Sequence, residues 1–154
     1  MLTTLRTNRR WFVLVGLVAG LALPASTMAA TIIGGPGNDV LYGTSSADTI
    51  YGNGGDDLIY GRGGGDTIFG NADNDRLRGG YGDDRMYGGY GNDGLDGGPG
   101  HDYLSGGYGG DYIHAAGDGT SDRISCGPGF DYVVYGPTDV FVDSSCEHKH
   151  LRDS

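Results

Sequence analysis

Aspartate recurs every nine residues along most of this chain and is the side chain whose type and spacing could do chemistry. Read in steps of nine from Gly34, nine consecutive segments keep their phase as far as His114, each with aspartate at its sixth position. An eleven-residue segment, Ala115 to Ser125, and a last nine-residue segment keep the aspartate too. The aspartates are Asp39, Asp48, Asp57, Asp66, Asp75, Asp84, Asp93, Asp102, Asp111, Asp122 and Asp131. Such an array of carboxylates is suited to binding cations.

The aspartates must be positioned by a repeated turn and strand. Two residues after each aspartate comes an aliphatic residue: Leu41, Ile50, Ile59, Ile68, Leu77, Met86, Leu95, Leu104, Ile113, Ile124 and Val133. Because side chains alternate across a strand, the last three residues of each segment predict a very short strand whose middle residue points inward. Glycines at the first, second and fourth positions allow positive φ and a tight turn. Two repeats therefore make one coil, and residue i should lie one strand spacing from residue i+18.

Segments such as GGYGNDGLD, GGPGHDYLS and GGYGGDYIH resemble the RTX, or hemolysin-type, calcium-binding nonapeptide repeat, whose signature is G-G-x-G-x-D-x-U-x. The resemblance covers residues 34 to 134 and implies an all-β fold, a right-handed parallel β-roll or β-solenoid. It also implies that each ion lies between turns n and n+2 and shares a carboxylate from each. Ca²⁺ prefers six to eight oxygen ligands, which backbone carbonyls and one or two carboxylates can supply.

The coil assigns the predicted calcium ligands to two edges. The first edge carries Asp39, Asp57, Asp75, Asp93 and Asp111. The second edge carries Asp48, Asp66, Asp84, Asp102 and Asp122. Pairs such as Asp93 with Asp111 and Asp84 with Asp102 are the best candidate sites. Their turns keep every consensus glycine, and the glycines at positions two and four of these turns are Gly80, Gly82, Gly89, Gly91, Gly98, Gly100, Gly107 and Gly109.

Two turns depart from the consensus and are expected to bind calcium weakly or not at all. One has Thr44 and Ser46 where glycines belong, and the other has Asn71 and Asp73, although Asp73 could add a ligand. The two extra residues of the eleven-residue segment also put the last site of the second edge in doubt. We therefore expect about five to eight calcium ions.

Folding is expected to depend on the metal. Eleven inward aliphatic side chains bury too little apolar surface to offset the entropy lost when about a hundred backbone residues become ordered. The ions must supply the difference, so the sequence predicts a largely disordered chain without calcium and a rod with it.

The amino terminus has the three-part layout of a secretory signal peptide. Arginines precede the apolar run Trp11–Leu23, and small residues follow, which predicts a leader of residues 1–30 cut after Ala29 or Ala30. A retained membrane anchor is the alternative, but the 13-residue run is short for a bilayer span. After cleavage the chain should have no transmembrane anchor.

Arg9 and Arg10, followed by Trp11 and Phe12, also resemble a twin-arginine signal, which would export an already folded protein. Calcium inside the cell is too scarce for extracellular calcium modules. The repeat should therefore leave the cell unfolded, which favours the general secretory route and predicts a secreted protein.

The exported chain is strongly acidic. The leader removes basic residues only, leaving seven Lys and Arg against 20 Asp and Glu, a formal charge of −13. This balance argues against nucleic acid and anionic lipid as partners and favours cations. We expect a monomer with a calcium-binding roll at 31–134 and a carboxy-terminal cap and tail at 135–154.

The cap holds both cysteines. In an exported protein Cys126 and Cys146 indicate a disulfide, and Val140–Val142 could form one last strand that closes the roll. An alternative places Cys146, His148 and His150 in a zinc or copper site, on a tail that is expected to be frayed.

The aromatic residues leave a second function open. Tyr51, Phe69 and Tyr87 are spaced 18 apart and should stack on the surface, either as cross-strand packing or as a carbohydrate-binding platform for cell-surface polysaccharide. No HExxH, GxSxG or P-loop motif occurs, which argues against an enzyme. The sequence thus favours a secreted, non-enzymatic calcium-binding protein with a structural or adhesive role. A calcium-dependent carbohydrate or cell-wall binding module is the alternative, and a remnant of a larger RTX enzyme or toxin is less favoured.

Overall fold

The computed structural model describes residues 28–115 and 117–152, and these residues form strands, turns and loops without a helix. None of this described part could therefore cross a membrane as a helix. In chain order the strands are β1 (Thr31–Ile33), β2 (Val40–Tyr42), β3 (Thr49–Asn53), β4 (Leu58–Gly63), β5 (Thr67–Ala72), β6 (Arg76–Tyr81), β7 (Arg85–Tyr90), β8 (Gly94–Asp96), β9 (Tyr103–Tyr108), β10 (Tyr112–His114), β11 (Arg123–Ser125), β12 (Tyr132–Tyr135), β13 (Val140–Phe141) and β14 (His148–Leu151). The predicted leader falls outside the described residues except for its last three.

The strands form two parallel sheets of seven strands each. The odd-numbered strands follow one another in one sheet and the even-numbered strands in the other, so the chain crosses between sheets at every turn. Most strand pairs are in register at a spacing of 18, for example Ile50 with Ile68. The spacing becomes 20 where β9 pairs with β11 and β10 with β12, because the two extra residues of the eleven-residue segment bulge out in a loop. This architecture confirms the predicted all-β parallel solenoid.

Five central strands are longer than the three residues that the repeat predicts. β4, β5, β6, β7 and β9 each span six residues. They continue because the first residues of the next turn also pair with their equivalents one coil away, as Arg62 does with Gly80 and Asn71 with Gly89. The turns are therefore hydrogen-bonded to one another as well as the strands.

The core lies between the two sheets and is built mainly from one inward side chain in each of β2 to β12, joined by Ala115, Cys126 and Cys146. Each of the eleven predicted aliphatic residues is at most 5% exposed, which confirms the inward position two residues after each aspartate. Ile32 and Phe141 extend the core to the first and last coils. Because the core is only two side chains thick, the hydrogen bonds between turns contribute much of the contact between adjacent coils.

The roll continues beyond Val134. The expected closing strand forms as β13, paired with β11, whereas the expected frayed tail contains β14, paired with β12. Cys126 and Cys146 form the predicted disulfide, with their Cα atoms 5.2 Å apart, and it joins two successive coils. Because its sulfur is bonded to Cys126, Cys146 is not a thiolate ligand for the alternative zinc or copper site.

Candidate metal centre

The predicted aspartates lie in two continuous columns, one along each edge of the roll. The backbone N–H of each aspartate donates to Oδ1 of the aspartate one coil further on, as Asp66 does to Asp84 at 2.7 Å and Asp84 to Asp102 at 2.8 Å. We call these columns the first and second ladders, after the edges defined above. Asp131 extends the first ladder, since its Oδ1 accepts from the N–H of Asp111 at 2.8 Å. From Asp57 and Asp66 onward, Oδ1 of each ladder aspartate therefore accepts from the backbone of the preceding coil, and Oδ2 remains available to a ligand.

The second carboxylate oxygen is buried and accepts no hydrogen bond from any described residue in nine of the aspartates. They are Asp57, Asp66, Asp75, Asp84, Asp93, Asp102, Asp111, Asp122 and Asp131. A buried polar oxygen without a partner is costly, and an ionised one more so. The nine oxygens repeat at coil spacing along both edges, so the donor set fits a row of hard cations such as Ca²⁺.

Burial also makes these carboxylates reluctant to ionise in the protein alone. Desolvation raises the pKa of Asp57, Asp66 and Asp93 to about 6. It raises the pKa to about 7 for Asp75, Asp84, Asp102, Asp111 and Asp122. The backbone hydrogen bond to each carboxylate opposes the shift, while charged neighbours in most of the ladder add to it. A bound divalent cation would reverse this balance by favouring the ionised form.

Backbone carbonyl oxygens of adjacent turns lie near the carboxylates: a methyl group on Gly61 would collide with both Oδ2 of Asp66 and the carbonyl oxygen of Gly79. A methyl group on Gly98 would collide with the carbonyl oxygen of Gly80, and one on Gly100 with that of Gly82, so these carbonyls point along the roll at the next turn. All eight glycines singled out by the sequence have positive φ, from 92° at Gly98 to 146° at Gly100. Two requirements thus select glycine at these positions: the backbone has positive φ, and a Cβ would collide with a carbonyl oxygen of the neighbouring coil.

No three His, Cys, Asp or Glu side chains converge on one point within residues 28–115 and 117–152. A site on either ladder would therefore combine carboxylates from at most two turns with backbone carbonyls. This is the mixed ligand set that the repeat predicts.

The two irregular turns differ from each other in structure. In the turn 70–75, Asn71 and Asp73 take the same positive φ as the glycines, at 81° and 73°, so the backbone path is kept. In the turn 43–48, the Thr44 hydroxyl accepts from the N–H of Ser46 and lies 3.2 Å from Oδ1 of Asp48, while its own N–H donates to Oδ2. Side-chain and backbone donors thus satisfy Asp48 completely at the amino-terminal end of its ladder.

Hydroxyl groups close the other end of the second edge. The Thr120 hydroxyl donates to the carbonyl of Gly100 at 2.7 Å, and the Thr138 hydroxyl donates to the carbonyl of Thr120. Ser121 donates in turn to the carbonyl of Thr138 at 2.7 Å. These carbonyls accept side-chain hydrogen bonds, which reduces their capacity to bind a cation.

Both ladders continue through acidic residues that the sequence analysis did not assign to the site. Asp122 N–H donates to Oδ1 of Asp139 at 3.0 Å, and Asp131 N–H donates to Oε2 of Glu147 at 3.1 Å. Asp139 was detectable, because Phe141 follows it by two residues as an inward side chain. Glu147 carries no such signal, since Lys149 stands two residues later.

The predicted aromatic ladder forms, with Tyr51, Phe69 and Tyr87 stacked at centroid distances of 5.0 Å. Its rings are within 9° of parallel, so they cover one another's faces and turn their edges to solvent. Sugars stack on ring faces, so this geometry supports cross-strand packing more than a platform. Tyr81, 74% exposed, lies beside Arg62 and Pro99 and shares no ring contact within the described residues.

Comparison with known proteins agrees with this geometry. No curated protein matches the chain. The family described as RTX calcium-binding nonapeptide repeat (4 copies) matches over residues 33–68, 60–95, 69–104, 87–120 and 96–133. These matches overlap and cover both ladders from Asp39 to Asp131. The chain therefore belongs to the RTX calcium-binding nonapeptide repeat family.

Proposed function

We propose that this chain is an exported, non-enzymatic protein that folds when Ca²⁺ binds between neighbouring turns and that serves as a structural or adhesive element at the cell exterior. The observation that carries the proposal is the set of nine buried carboxylate oxygens without hydrogen-bond partners. Ionised, they would repel one another along each edge, and calcium ions between them remove that repulsion while using the carbonyls of the glycine turns.

The positions of these oxygens support ions in the middle of the roll. Five lie on the first ladder, from Asp57 to Asp131, and four on the second, from Asp66 to Asp122. Consecutive members enclose four gaps on the first edge and three on the second. The Thr120 hydroxyl donates to the carbonyl of Gly100, in the turn that carries Asp102, so we leave the last gap of the second edge out of the count. We therefore expect about six ions, within the range that the repeat predicts.

The roles of the residues follow from the geometry. Aspartate Oδ1 atoms hold adjacent turns together through the backbone, Oδ2 atoms bind the cation, and the glycines bring carbonyl oxygens within reach. Calcium supplies the positive charge that makes ionised carboxylates compatible with burial. Carboxylates held ionised by calcium are poor general acids, which supports the absence of catalysis.

A calcium titration of the chain that begins at Ala30 tests the proposal. In chelator we expect a far-ultraviolet circular dichroism spectrum of a disordered chain, and with millimolar calcium a β-spectrum, with about six ions bound by equilibrium dialysis and metal analysis. Magnesium at the same concentration should fail, because it demands a smaller, octahedral site. A full β-spectrum in chelator, or equal folding with magnesium, would contradict the proposal.

The exposed Tyr81 keeps polysaccharide binding as a second candidate. Together with Tyr60, Arg62 and Arg78 it lines a shallow pocket, where an exposed ring that no other described ring covers could stack on a sugar. Retention on a polysaccharide column in calcium should be lost in Tyr81→Ala and kept in Tyr87→Ala, whose ring is stacked. Equal retention of both variants and the original chain would exclude this pocket as the sugar site.

A further inference from the structure

Ala30 occupies the place that an aspartate fills in every later coil of the second edge. Its backbone N donates to Oδ1 of Asp48 at 2.6 Å, and its carbonyl accepts from the N–H of Thr49 at 2.8 Å. Asp48 makes the same two bonds to the next coil, with Asp66 at 2.7 Å and Thr67 at 2.8 Å. Ala30 has a methyl group instead of a carboxylate, so the second ladder begins at its nitrogen.

The carboxylate at this end is buried without a cation. Asp48 is 3% exposed and Ala30 is 8% exposed. Asp48 forms no ion pair with a Lys, Arg or His of the described chain. Both of its oxygens accept hydrogen bonds, from Ala30 and Thr44, so it also lacks the unpartnered oxygen that marks the proposed calcium positions. A buried carboxylate needs compensating charge, and hydrogen bonds to neutral groups supply only part of it.

We propose that the leader is cleaved between Ala29 and Ala30, and that the α-ammonium group created on Ala30 binds the Asp48 carboxylate as a built-in cation at the amino-terminal end of the roll. The inference rests on the proposed export of the chain. In the cleavage, water adds its hydroxyl to the Ala29 carbonyl carbon, the C–N bond breaks, and the released nitrogen of Ala30 takes up protons to become the ammonium. A leader peptidase supplies this hydrolysis.

Sequence and structure agree on this bond. Cleavage after Ala29 places small side chains, Ala29 and Thr27, at the last and third-last positions of the leader, whereas cleavage after Ala30 places Met28 at the third-last position. Cleavage after Ala30 would also remove the atom that donates to Asp48. The new charge would lie within hydrogen-bond distance of Oδ1, since the nitrogen is 2.6 Å from it, and a charge-assisted hydrogen bond is roughly twice as strong as a neutral one.

The order of events fits the calcium dependence. Ala29 is exposed and Ala30 buried in the folded roll, so the bond between them lies at the boundary of the fold. During export the chain is unfolded and the bond is open to the peptidase. Folding in calcium then buries the new amino terminus against Asp48.

The test compares chains that differ only at the amino terminus. One begins at Ala30 with a free amine, the second is the same chain N-acetylated, and the third begins at Thr31. Each is made with Asp48 and with Asp48→Asn, and the thermal midpoint is measured in saturating calcium. Acetylation keeps the N–H donor but removes the charge, so we expect it to lower the midpoint by about 4 °C. Starting at Thr31 should cost at least as much.

In the Asp48→Asn background, acetylation should leave the thermal midpoint unchanged, because the carboxylate that pairs with the α-ammonium group is absent. Amino-terminal sequencing of the exported protein should begin at Ala30. Equal midpoints for the free and acetylated chains, a difference that survives Asp48→Asn, or an exported chain that begins at Thr31 would overturn the inference. Failure of the proposed function is separately visible, because none of the chains would then fold on addition of calcium.

Discussion

Replacing Asp84 by asparagine should change the stability of the protein in opposite directions with and without calcium. Asp84 lies in the middle of the second ladder, where Oδ1 accepts from the N–H of Asp66 and Oδ2 is buried without a partner among the described residues. Asparagine keeps an oxygen for the Asp66 N–H and replaces the unpartnered oxygen by an uncharged amide nitrogen. The substitution thus removes one buried charge and one proposed calcium ligand.

Without calcium the loss of charge is favourable. Asp66 and Asp102 flank Asp84 at about one strand spacing, roughly 4.8 Å. Two unit charges at that distance repel by about 1 kcal/mol in water and by about 3 kcal/mol near a protein surface. Burial raises the pKa of Asp66 to about 6 and that of Asp84 and Asp102 to about 7, so the ladder is partly protonated at neutral pH. After that allowance, and solvent screening, we expect Asp84→Asn to stabilise the calcium-free roll by about 1 to 2 kcal/mol.

With calcium the loss of a ligand dominates. Asp84 faces one proposed ion on each side along its ladder. Outer groups that only support a metal ligand change affinity by about 10- to 100-fold, and a direct ligand should contribute no less. Each tenfold loss is about 1.4 kcal/mol, so two weakened sites should cost about 3 to 5 kcal/mol.

The assay follows the β-signal by circular dichroism in two titrations. One adds calcium, and its midpoint should move to higher concentration in Asp84→Asn. The other adds a folding osmolyte in chelator, and its midpoint should move to lower concentration. Asp48→Asn is the matched control, because both oxygens of Asp48 accept hydrogen bonds from the protein and the change should destabilise the roll in both titrations by about 1 kcal/mol. If Asp84→Asn behaves like Asp48→Asn, the unpartnered oxygen is not a cation ligand.

Three further predictions address the turns, the protons and the disulfide. Gly98→Ala should abolish folding at millimolar calcium, because φ at Gly98 is 92° and a Cβ there meets the carbonyl oxygen of Gly80. Gly94→Ala in β8 is the control, since a Cβ at Gly94 has room, and this variant should fold as the original chain does. Equal calcium titrations of the two variants would contradict this. In calcium-free buffer, lowering the pH from about 8 to about 5 should increase the β-signal, because burial raises the pKa of the eight ladder aspartates from Asp57 to Asp122 to about 6 to 7, above the unfolded value. The folded state therefore binds more protons than the unfolded chain and loses that stability as the pH rises through the folded pKa. In limiting calcium the same acidification should release ions, and a β-signal independent of pH in both buffers would refute the assignment. Replacing Cys126 and Cys146 by serine should lower the free energy of unfolding by about 3 kcal/mol and expose the amides of β13 and β14 to hydrogen exchange. The number of bound calcium ions should stay the same, and loss of an ion would show that the disulfide supports a site.

The period of the sequence predicted the coil, the two edges and the inward residues, because each follows from local geometry repeated without interruption. Glycine at a fixed position allows positive φ and leaves room for the carbonyl of the next coil, and aspartate accepts a backbone hydrogen bond and offers a second oxygen. Each residue type thus has two reasons to recur, which makes the pattern easy to recognise. The lengths of the central strands could not be read from the repeat, since they depend on pairing between turns of different coils, such as Asn71 with Gly89.

The ends were harder to predict than the middle. Asp139 and Glu147 join the ladders at spacings of 17 and 16 residues from Asp122 and Asp131, so a strict period misses them. The closure by Thr120 depends on where the loop of the eleven-residue segment folds back, and no nine-residue pattern specifies that. The same holds for Ala30, whose role is that of a backbone nitrogen and not of a side chain.

Each strand pairs with the strand two places further along the chain, so the roll is a stack of similar coils that grows in one dimension. Excising 18 residues, for instance 76–93, would join equivalent points of successive turns and shorten the roll by one layer, roughly 4.8 Å, and the two flanking layers would pair with each other in the same register. A gene that gains or loses such units can thus change the length of the roll without altering the remaining turns.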